Sequence, residues 1–552
     1  MKNLPAKSKR FFILACLMSS LESVAISLSL YYMAQILEFA QAGQRKNMLW
    51  MVAVSTGLLL AAYFLYAAST AARLGYLSSA EVSLKRDIMK NVLRRPWKGF
   101  QRNNRGYYLN LLTTDTDMYR TDRMDSVTLI CGYAISGVVA SVMLCLMNTW
   151  LFVAGILISA TPLICSKFFT NMQRRTRGAF SARSEEYANV LKETVDGYEV
   201  IHTSNQSGNF LDRFEEASAQ KQRAYFSYGF ARNMSAKTLY TVASLANIIG
   251  VGVGGFLILQ GSLSAAMMLA ATGYFSEISN SLSNLIEEAV TFRSTKELAK
   301  KLEEERNFPC PAERGLACEE KPAITYQKVS FSFDQRQLYQ NFCHVFRPGG
   351  CYAIVGESGS GKTTLVKLLL KYYDHYTGKI CFGSQDIQDM AESEILAQVS
   401  VVNQSAFLFN ASLYENITMF GHTPAPDSDA YQALLEELNL TDLAKRVGEK
   451  PLGDFGDHIS GGERQRICIA RAMQKRAGVM IFDEPTTGLD PENVRLIQEF
   501  IFRQKHITRI VITHDWSKEY LDRFDEVIQV PGGTDCATNE KRRSCDKKNS
   551  PV

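Results

Sequence analysis

Six long apolar segments occupy the first half of the chain, and each is about long enough for a helix to cross the hydrocarbon core of a bilayer. Charged side chains interrupt them only singly, as Glu22 interrupts the first. The pattern therefore predicts six membrane-spanning helices, at residues 11–37, 48–72, 127–147, 151–169, 237–259 and 263–285. The junctions after the third and fifth helices are so short that only a tight turn fits, which predicts antiparallel neighbours.

Lysine and arginine are distributed unequally among the polar segments that join these helices. The N-terminal tail and the long intervals after the second and fourth helices are rich in both residues, whereas the turns after the third and fifth helices contain neither. Because cytoplasmic loops carry the excess of positive charge, the tail and the two long intervals are predicted to be cytoplasmic. Six crossings return the chain to the same side, so both termini are predicted to be cytoplasmic.

The hydrophobic pattern changes its period after residue 295. Residues 296–322 are charged and contain prolines, which predicts a linker, and from Ile324 onward apolar residues recur with the period of a strand. Alternating strand and helix patterns follow, so residues 323–531 are predicted to form an α/β domain. The polar residues 532–552 are predicted to be a disordered tail. The predicted fold class is multidomain, with an all-α six-helix transmembrane domain at residues 1–295 followed by the α/β domain.

The stretch Val355–Thr364 reads VGESGSGKTT and fits the phosphate-binding pattern G-x-x-x-x-G-K-[ST]. An apolar run precedes it and a helical pattern follows it, as this motif requires. A glycine-rich turn at a helix N-terminus gathers backbone N–H groups around one point, where a polyphosphate binds. The residues predicted to contact ATP are Gly356, Glu357, Ser358, Gly359, Ser360, Gly361, Lys362, Thr363 and Thr364. Lys362 is expected on the β- and γ-phosphates, and the Thr363 hydroxyl on Mg²⁺.

A second motif, VMIFDE at Val479–Glu484, predicts a buried strand that ends in two acids. In a P-loop protein such a strand delivers its acids to the phosphate loop. Asp483 is therefore expected to hold Mg²⁺ through water, and Glu484 to polarise the attacking water as general base.

Further segments of the second half resemble the remaining motifs of ABC transporters. ISGGERQR at Ile459–Arg466 resembles the signature, which is usually L-S-G-G-Q, and Thr487–Asp490 resembles the D-loop. Gln404 in VVNQSAFLF resembles the Q-loop residue, and His514 in VITHD the switch histidine. Together with the six apolar segments, these motifs make the chain similar to an exporter-type ABC half-transporter, whose second domain is a P-loop ABC ATPase.

This resemblance implies roles for particular residues. Glu484, His514, Gln404 and Lys362 would be catalytic, Thr363, Gln404 and Asp483 would serve the metal, and Phe333 would stack on adenine. Ser460, Gly461 and Gly462 would face the γ-phosphate of the nucleotide held by a second subunit, and Glu463 would also contact that nucleotide. The usual signature has glutamine where this chain has Glu463, which places an acid near the partner's ribose.

The resemblance also implies partners and a function. Since the signature serves the opposite subunit, two half-transporter chains, either identical or different, would hold two ATP molecules head to tail. The expected activity is ATP hydrolysis coupled to export of a hydrophobic, peptide or lipid-like cargo across a cell membrane, here predicted to be a bacterial inner or plasma membrane. Metal-chelate uptake by the same architecture and an ATP-gated channel or regulator remain alternatives. The six apolar segments argue against a soluble ABC ATPase that acts on nucleic acid.

Two cytoplasmic segments resemble the coupling helices of ABC exporters, which rest on the ATPase. They are Gly106–Asp117 and Asn189–Ile201, and Tyr107 stands where the first element usually has a glutamate. In the membrane half, Glu22, Glu277 and Asn280 are candidates for the substrate path, because an ionised group near the bilayer centre normally faces a cavity or a partner. A partly acidic path for cationic or amphipathic cargo and plain contacts between neighbouring helices are both compatible with this pattern.

Composition adds little to these predictions. The net charge of +5 is too small to indicate a nucleic-acid partner. The twelve cysteines are scattered without a C-x-x-C pair, which is typical of buried small hydrophobes or free cytosolic thiols.

Overall fold

The structure is a computed structural model that describes residues 5–159, 161–309, 322–333, 336–426, 428–453 and 459–530. The chain divides into two compact units. The first contains the described parts of Met1–Leu93 and Asn104–Phe308, and the second those of Arg94–Asn103 and Pro309–Val552. The predicted tail at 532–552 and residues 310–321 of the predicted linker lie outside the described residues.

The described part of the chain up to residue 308 is helical. In chain order its α-helices are α1 (Ala6–Gln41), α2 (Arg45–Leu93), α3 (Trp97–Gln101), α4 (Arg105–Asn110), α5 (Thr116–Tyr119), α6 (Asp125–Met147), α7 (Thr149–Ser159), α8 (Thr161–Asp196), α9 (Tyr198–Thr203), α10 (Ser207–Leu259), α11 (Ala265–Ser294) and α12 (Lys296–Arg306). Two π-helical turns, Leu111–Asp115 and Arg120–Met124, join α4, α5 and α6. All of these helices except α3 belong to the first unit.

Four helical segments among the described residues are long and apolar enough to cross a membrane: Ala6–Gln41, Arg45–Leu93, Arg105–Met147 and Ser207–Leu259. They contain the first, second, third and fifth predicted membrane helices. The fourth is divided between α7 and α8, and residue 160 between them lies outside the described residues. The sixth lies in α11, which is not among the four because polar residues such as Glu277 and Asn280 lower its hydropathy.

Several helices are far longer than a membrane crossing requires. Helix α2 has 49 residues and α10 has 53. At 1.5 Å per residue each measures more than about 70 Å, whereas the hydrocarbon core is only about 30 Å thick. More than half of each helix therefore extends beyond the hydrocarbon core, as the helical spacing in the polar intervals predicts.

The core of the first unit forms where α11 packs against α1 and α6. Tyr274 and Phe275 are fully buried there, among small residues that include Ala34, Ala140 and Ala270. The Tyr274 hydroxyl donates a hydrogen bond of 2.6 Å to the Ser27 carbonyl oxygen in α1. Small residues at such contacts allow helices to approach closely, so this seam fixes the position of α11.

The structure corrects the beginning of the predicted linker, because Lys296–Arg306 forms the helix α12 of the first unit. The charged residues that indicated a linker make ion pairs and hydrogen bonds instead. Arg306 Nε lies 2.9 Å from Asp87 Oδ2 in α2, and the Tyr107 hydroxyl donates to Glu305 Oε1 at 2.8 Å. Leu302 is buried beneath them, with 1% of its surface exposed.

The second unit contains two sheets. Its strands are β1 (Ile324–Phe333), β2 (Arg336–Phe346), β3 (Cys351–Val355), β4 (Thr377–Phe382), β5 (Gln385–Asp386), β6 (Val399–Val402), β7 (Val479–Asp483), β8 (Thr508–Ile512) and β9 (Glu526–Gln529). Its further α-helices are α13 (Lys362–Leu369), α14 (Glu392–Gln398), α15 (Leu413–Thr418), α16 (Asp429–Glu437), α17 (Thr441–Val447), α18 (Gly461–Gln474), α19 (Pro491–Arg503) and α20 (Lys518–Leu521).

The larger sheet has the strand order β6-β7-β8-β3-β9, and its paired strands are parallel. Every residue of β3 and β8 is buried, as expected for central strands that helices cover on both faces. The smaller sheet is antiparallel, in the order β2-β1-β4-β5. The second unit is thus an α/β domain, as the period of the hydrophobic residues predicts.

His344 in β2 makes the stability of the second unit depend on pH. Its ring lies 4.5 Å from the Phe346 ring, and burial lowers its pKa from 6.5 to about 4. The unfolded chain takes up this proton near pH 6.5 whereas the folded chain does not, so stability is full above pH 6.5 and falls toward pH 4. The loss is at most about 3 kcal/mol. We expect the Tm to fall over this range and to fall less in His344→Phe; the same pH dependence in both proteins would contradict the assignment.

Candidate nucleotide site

The carboxyl ends of four neighbouring strands carry the predicted site residues. The phosphate loop follows β3, Gln404 follows β6, and His514 follows β8. Asp483 is the last residue of β7, and Glu484 comes directly after it. Because the strands of this sheet are parallel, their carboxyl ends meet at one edge, where open α/β sheets bind ligands. The topology therefore gathers residues that are more than 150 positions apart in sequence.

Local packing fixes the shape of the phosphate loop. Gly361 adopts a left-handed backbone with φ of 104°, and a Cβ there would lie 2.9 Å from the Tyr339 hydroxyl oxygen. That hydroxyl donates a 2.6 Å hydrogen bond to the Gly361 carbonyl oxygen. A Cβ on Gly356 would come within 2.6 Å of the Ser360 hydroxyl oxygen. Glycine at these positions therefore allows the tight turn that the loop makes here.

Two buried polar groups under this loop fit a polyphosphate. Lys362 is only 5% exposed as a residue, and its ammonium donates to the carbonyl oxygens of Gly356 and Glu357, at 2.9 Å each. Burial lowers the pKa of Lys362, while Glu484 and Asp483 act in the opposite direction. The Ser360 hydroxyl oxygen is buried and has no hydrogen-bond partner within the described residues. A buried cation and an unpaired hydroxyl around a glycine-rich turn are the groups that an anion requires.

The residues proposed for Mg²⁺ also fit that ion. Thr363 Oγ1 donates to Asp483 Oδ1 at 3.2 Å. An Mg²⁺ ion that took the Thr363 hydroxyl as a ligand would keep several waters, and the neighbouring Asp483 carboxylate would be placed to accept a hydrogen bond from one of them. Burial raises the pKa of Asp483, which the Thr363 hydrogen bond opposes. A divalent cation held nearby would favour the ionised carboxylate and so act against that rise in pKa.

Glu484 lies at the centre of a hydrogen-bonded group. His514 Nε2 is 2.8 Å from Glu484 Oε1, and Gln404 Nε2 donates to Glu484 Oε2 at 2.8 Å. The Thr487 hydroxyl donates to the same Oε2 at 3.3 Å. Glu484 also has a left-handed φ of 50°, a strained conformation for a residue with a side chain. Strand β7 and three side chains thus hold one carboxylate in a defined orientation next to the phosphate loop.

The signature residues form a second group at the start of α18. Ser460 is the N-cap, and its hydroxyl accepts a hydrogen bond from the Glu463 N–H, while the Glu463 carboxylate accepts one from the Ser460 N–H at 3.0 Å. This reciprocal pair is a capping box. A Cβ on Gly462 would lie 2.6 Å from the Asn493 side chain at the start of α19. Gly462 is buried and allows the start of α19 to pack closely, whereas Ser460 and Gly461 are exposed at the N-terminus of α18.

The remaining predicted residues lie apart from these two groups. Phe333 at the end of β1 is 49% exposed, and its ring meets the Tyr373 ring edge-on at 5.8 Å.

In the first unit, Glu277 of α11 accepts a hydrogen bond from the Ser136 hydroxyl of α6, which is a contact between neighbouring helices. Glu22 is half-buried and Asn280 is exposed. The structure thus supports a helix contact for Glu277 and leaves Asn280 accessible.

Helix α3 packs on the second unit, to which Arg94–Asn103 belongs. The Trp97 ring stacks on the Tyr372 ring, with a centroid distance of 4.7 Å and an interplanar angle of 16°. The Trp97 N–H donates to the Glu392 carboxylate at 3.0 Å, and the Lys98 ammonium lies 2.7 Å from both Asp374 oxygens. These contacts hold a five-residue helix that the chain inserts between α2 and α4.

The predicted first coupling element, Gly106–Asp117, forms α4, a π-helical turn and the start of α5 within the first unit, and its coupling role stays a prediction. The sequence pattern does not single out Trp97 and Lys98, because their partners Tyr372 and Asp374 lie far away in sequence. Asn189–Ile201 covers the end of α8 and most of α9, and its coupling role stays a prediction.

Family models match both units of the chain. The model of the ABC transporter transmembrane region matches residues 12–282, and the ABC transporter model matches residues 339–487. The chain belongs to the ABC transporter superfamily and combines a transmembrane domain and an ATPase domain in one polypeptide, as exporter-type half-transporters do.

Individual relatives agree with this assignment. The chain is 26% identical over 469 residues to the ATP-dependent lipid A-core flippase of Chromohalobacter salexigens, covering 82% of this chain and 79% of that protein. It is 26% identical over 493 residues to the flippase of the same description from Haemophilus influenzae, covering 82% and 78%. The solved structure of a bacterial Atm1-family ABC exporter with ATP bound matches with a TM-score of 0.79 at 18% identity, over 99% of this chain and 98% of that one. At that identity the likeness shows the fold alone.

Proposed function

We propose that two copies of this chain form an ATP-driven exporter in which each ATP lies between the phosphate loop of one copy and the signature of the other. The observation that carries the proposal is the position of Glu484, held by His514 at 2.8 Å and Gln404 at 2.8 Å, at the sheet edge that bears the phosphate loop. A carboxylate oriented in this way is suited to accept a proton from an attacking water. The second group, at the start of α18, supplies another anion-binding helix terminus.

The residues of the site have separate tasks in this proposal. Lys362 and the loop N–H groups bind the phosphates, His514 orients Glu484, and Thr363 and Asp483 hold Mg²⁺, with Gln404 beside them. Bound Mg²⁺ neutralises charge that develops on the phosphate oxygens. Phe333, which is exposed at the end of β1, is available to stack on the adenine ring.

A lipid-like amphipathic molecule is the cargo class that the relatives favour. Both bacterial relatives described above are named lipid A-core flippases, and the ATP-bound structural neighbour is named an exporter. These names give no support to the metal-chelate importer or the channel. We propose that the protein lies in a bacterial inner or plasma membrane, with its ATPase domain in the cytoplasm, as the distribution of lysine and arginine favours.

The proposed cargo is tested by the ATPase activity of the chain reconstituted in lipid vesicles. We expect amphipathic lipids to stimulate ATP hydrolysis several-fold, because cargo binding favours the state in which the two ATPase domains close. If Glu22 and Glu277 line the path, the double variant Glu22→Gln/Glu277→Gln loses stimulation by cationic amphipaths and keeps stimulation by neutral ones. Equal stimulation of both proteins by cationic amphipaths would assign these glutamates to helix packing alone.

Helix α3 is proposed to transmit the closure of the ATPase domains to the membrane helices, because the chain connects it directly to α2 and α4. Trp97→Ala removes the stacked pair with Tyr372, a contact that is worth about 0.5–1.5 kcal/mol beyond the area buried. We expect this variant to hydrolyse ATP while its stimulation by cargo falls several-fold. Tyr372→Phe keeps the stacked ring and serves as the matched control. Full stimulation in Trp97→Ala would contradict a coupling role for α3.

A further inference from the structure

Glu463 places a negative charge where the proposed site must receive a phosphate. It occupies the position that is glutamine in the usual ABC signature, one helical turn into α18. An uncompensated carboxylate there, near the ribose of the opposing nucleotide, would repel the phosphates that the adjacent N-terminus of α18 is proposed to receive, since like charges interact unfavourably at the protein surface. The chain therefore needs either a protonated Glu463 or a compensating cation.

The contacts of Glu463 favour the ionised form. Burial opposes ionisation, but the Ser460 N–H, the Arg446 guanidinium and the Ser460 hydroxyl together lower the pKa of Glu463 below its ordinary value. The side chain is only 16% exposed, so it is not free to turn toward solvent. A compensating cation is thus required at neutral pH.

Arg446 of α17 supplies that cation. Its Nη2 lies 2.9 Å from Glu463 Oε1 and 3.1 Å from Glu463 Oε2, while Oε2 also accepts the Ser460 N–H at 3.0 Å. One guanidinium nitrogen therefore bridges both oxygens of the carboxylate that closes the capping box. The neighbouring cation, Lys445, lies on the same helix, and the structure shows no ion pair for it within the described residues.

We propose that Arg446 is a positioning residue for ATP hydrolysis: it cancels the charge of Glu463 and holds the capping box, so that Ser460 and the N-terminus of α18 can receive the phosphate bound by the partner copy. The inference rests on the proposed function, because it assumes that the signature faces a nucleotide. It also explains how the chain keeps glutamate at a position where a neutral glutamine makes the same capping box without a charge.

A merely stabilising role for Arg446 makes a different prediction. Its side chain is 56% exposed, and exposed ion pairs contribute little to folding stability. If stability were the purpose, Arg446→Ala would change the Tm slightly and leave the KM for ATP unchanged. If charge compensation is the purpose, the KM changes and the Tm does not.

The test is a double-mutant cycle on the full-length protein in lipid vesicles, with KM and kcat for ATP and the Tm measured for each variant. In the chain with Glu463, Arg446→Ala is expected to raise the KM roughly tenfold, and this increase should shrink as the salt concentration rises. In the Glu463→Gln background, Arg446→Ala should change the KM less than twofold, because no charge remains to be cancelled. Lys445→Ala, which removes the same charge one residue away, should leave the KM unchanged.

Two results would overturn the proposal: an unchanged KM in Arg446→Ala, or the same increase in both backgrounds. Arg446→Gln provides a second, longer neutral side chain if the alanine variant does not fold. Wild-type protein and Glu484→Gln are measured alongside. If the wild type does not hydrolyse ATP, or if Glu484→Gln retains full activity, the proposed function itself fails, whereas a normal result for both with no Arg446 effect removes only this inference.

Discussion

Replacing Glu484 by glutamine is expected to lower the turnover of ATP by about 10²- to 10⁴-fold, the usual contribution of a general base, while ATP still binds. Glutamine has the same shape, so contacts with Gln404 and His514, both at 2.8 Å in the structure, have room to re-form. The amide cannot accept the proton of the attacking water, however. Binding should persist because Lys362 and the phosphate loop are unaffected.

The measurement compares the steady-state ATPase rate with equilibrium ATP binding for the reconstituted wild type and variant. Glu499→Gln is the matched control, because it makes the same chemical change at a residue of α19 that forms an exposed ion pair with Arg523. We expect the control to retain the wild-type rate. A Glu484→Gln protein that hydrolyses ATP within about threefold of the wild-type rate would show that another group accepts the proton.

The second large effect is the loss of ATP hydrolysis when either half of the proposed composite site is disrupted, and its partial return in mixed dimers. Lys362→Ala removes the buried ammonium. Gly462→Val, at the start of α18, places a side chain against Asn493 of α19. Each variant alone should be inactive, because both sites of a homodimer then carry the same defect. In a mixture, half of the dimers combine the two variants and contain one intact site, so up to roughly a quarter of the wild-type rate should return.

The control mixture combines two variants that both disrupt the phosphate loop and leave the signature intact. Lys362→Ala mixed with Thr363→Ala leaves no intact phosphate loop in any dimer, so this mixture should stay inactive. Recovery in the control mixture, or no recovery in the first mixture after mixed dimers are isolated by two affinity tags, would contradict the head-to-tail arrangement.

The nucleotide site is largely predictable from sequence because its residues belong to continuous motifs at strand ends. The pattern VGESGSGKTT gives the phosphate loop, VMIFDE gives Asp483 and Glu484, and VITHD gives His514. Each motif fixes where its residues lie relative to a strand, and a parallel sheet brings the carboxyl ends of its strands to one edge. The hydrogen bonds from Thr363 to Asp483 and from Gln404 to Glu484 follow from that geometry.

Contacts between distant side chains were not predictable. In the sequence, Trp97 is an ordinary aromatic residue in a polar interval. Only the structure shows that it stacks on Tyr372, 275 positions later. The charge pattern of Lys296–Arg306 is compatible with a linker or a solvated helix, and the Asp87–Arg306 pair decides in favour of a packed helix. Tyr339, which fixes Gly361, and Arg446, which contacts Glu463, belong to no motif. Tertiary structure alone selects these partners.

The direct test of the central claim is ATP-driven movement of a lipid in sealed vesicles that contain the purified chain. ATP is added outside, so that only transporters with outward-facing ATPase domains are active, and a fluorescent headgroup-labelled phospholipid is then quenched from outside. We predict that ATP increases the fraction of label protected in the inner leaflet with the wild type and not with Glu484→Gln. Equal protection with and without ATP, or movement toward the ATP side, would contradict an ATP-driven exporter of lipid-like cargo.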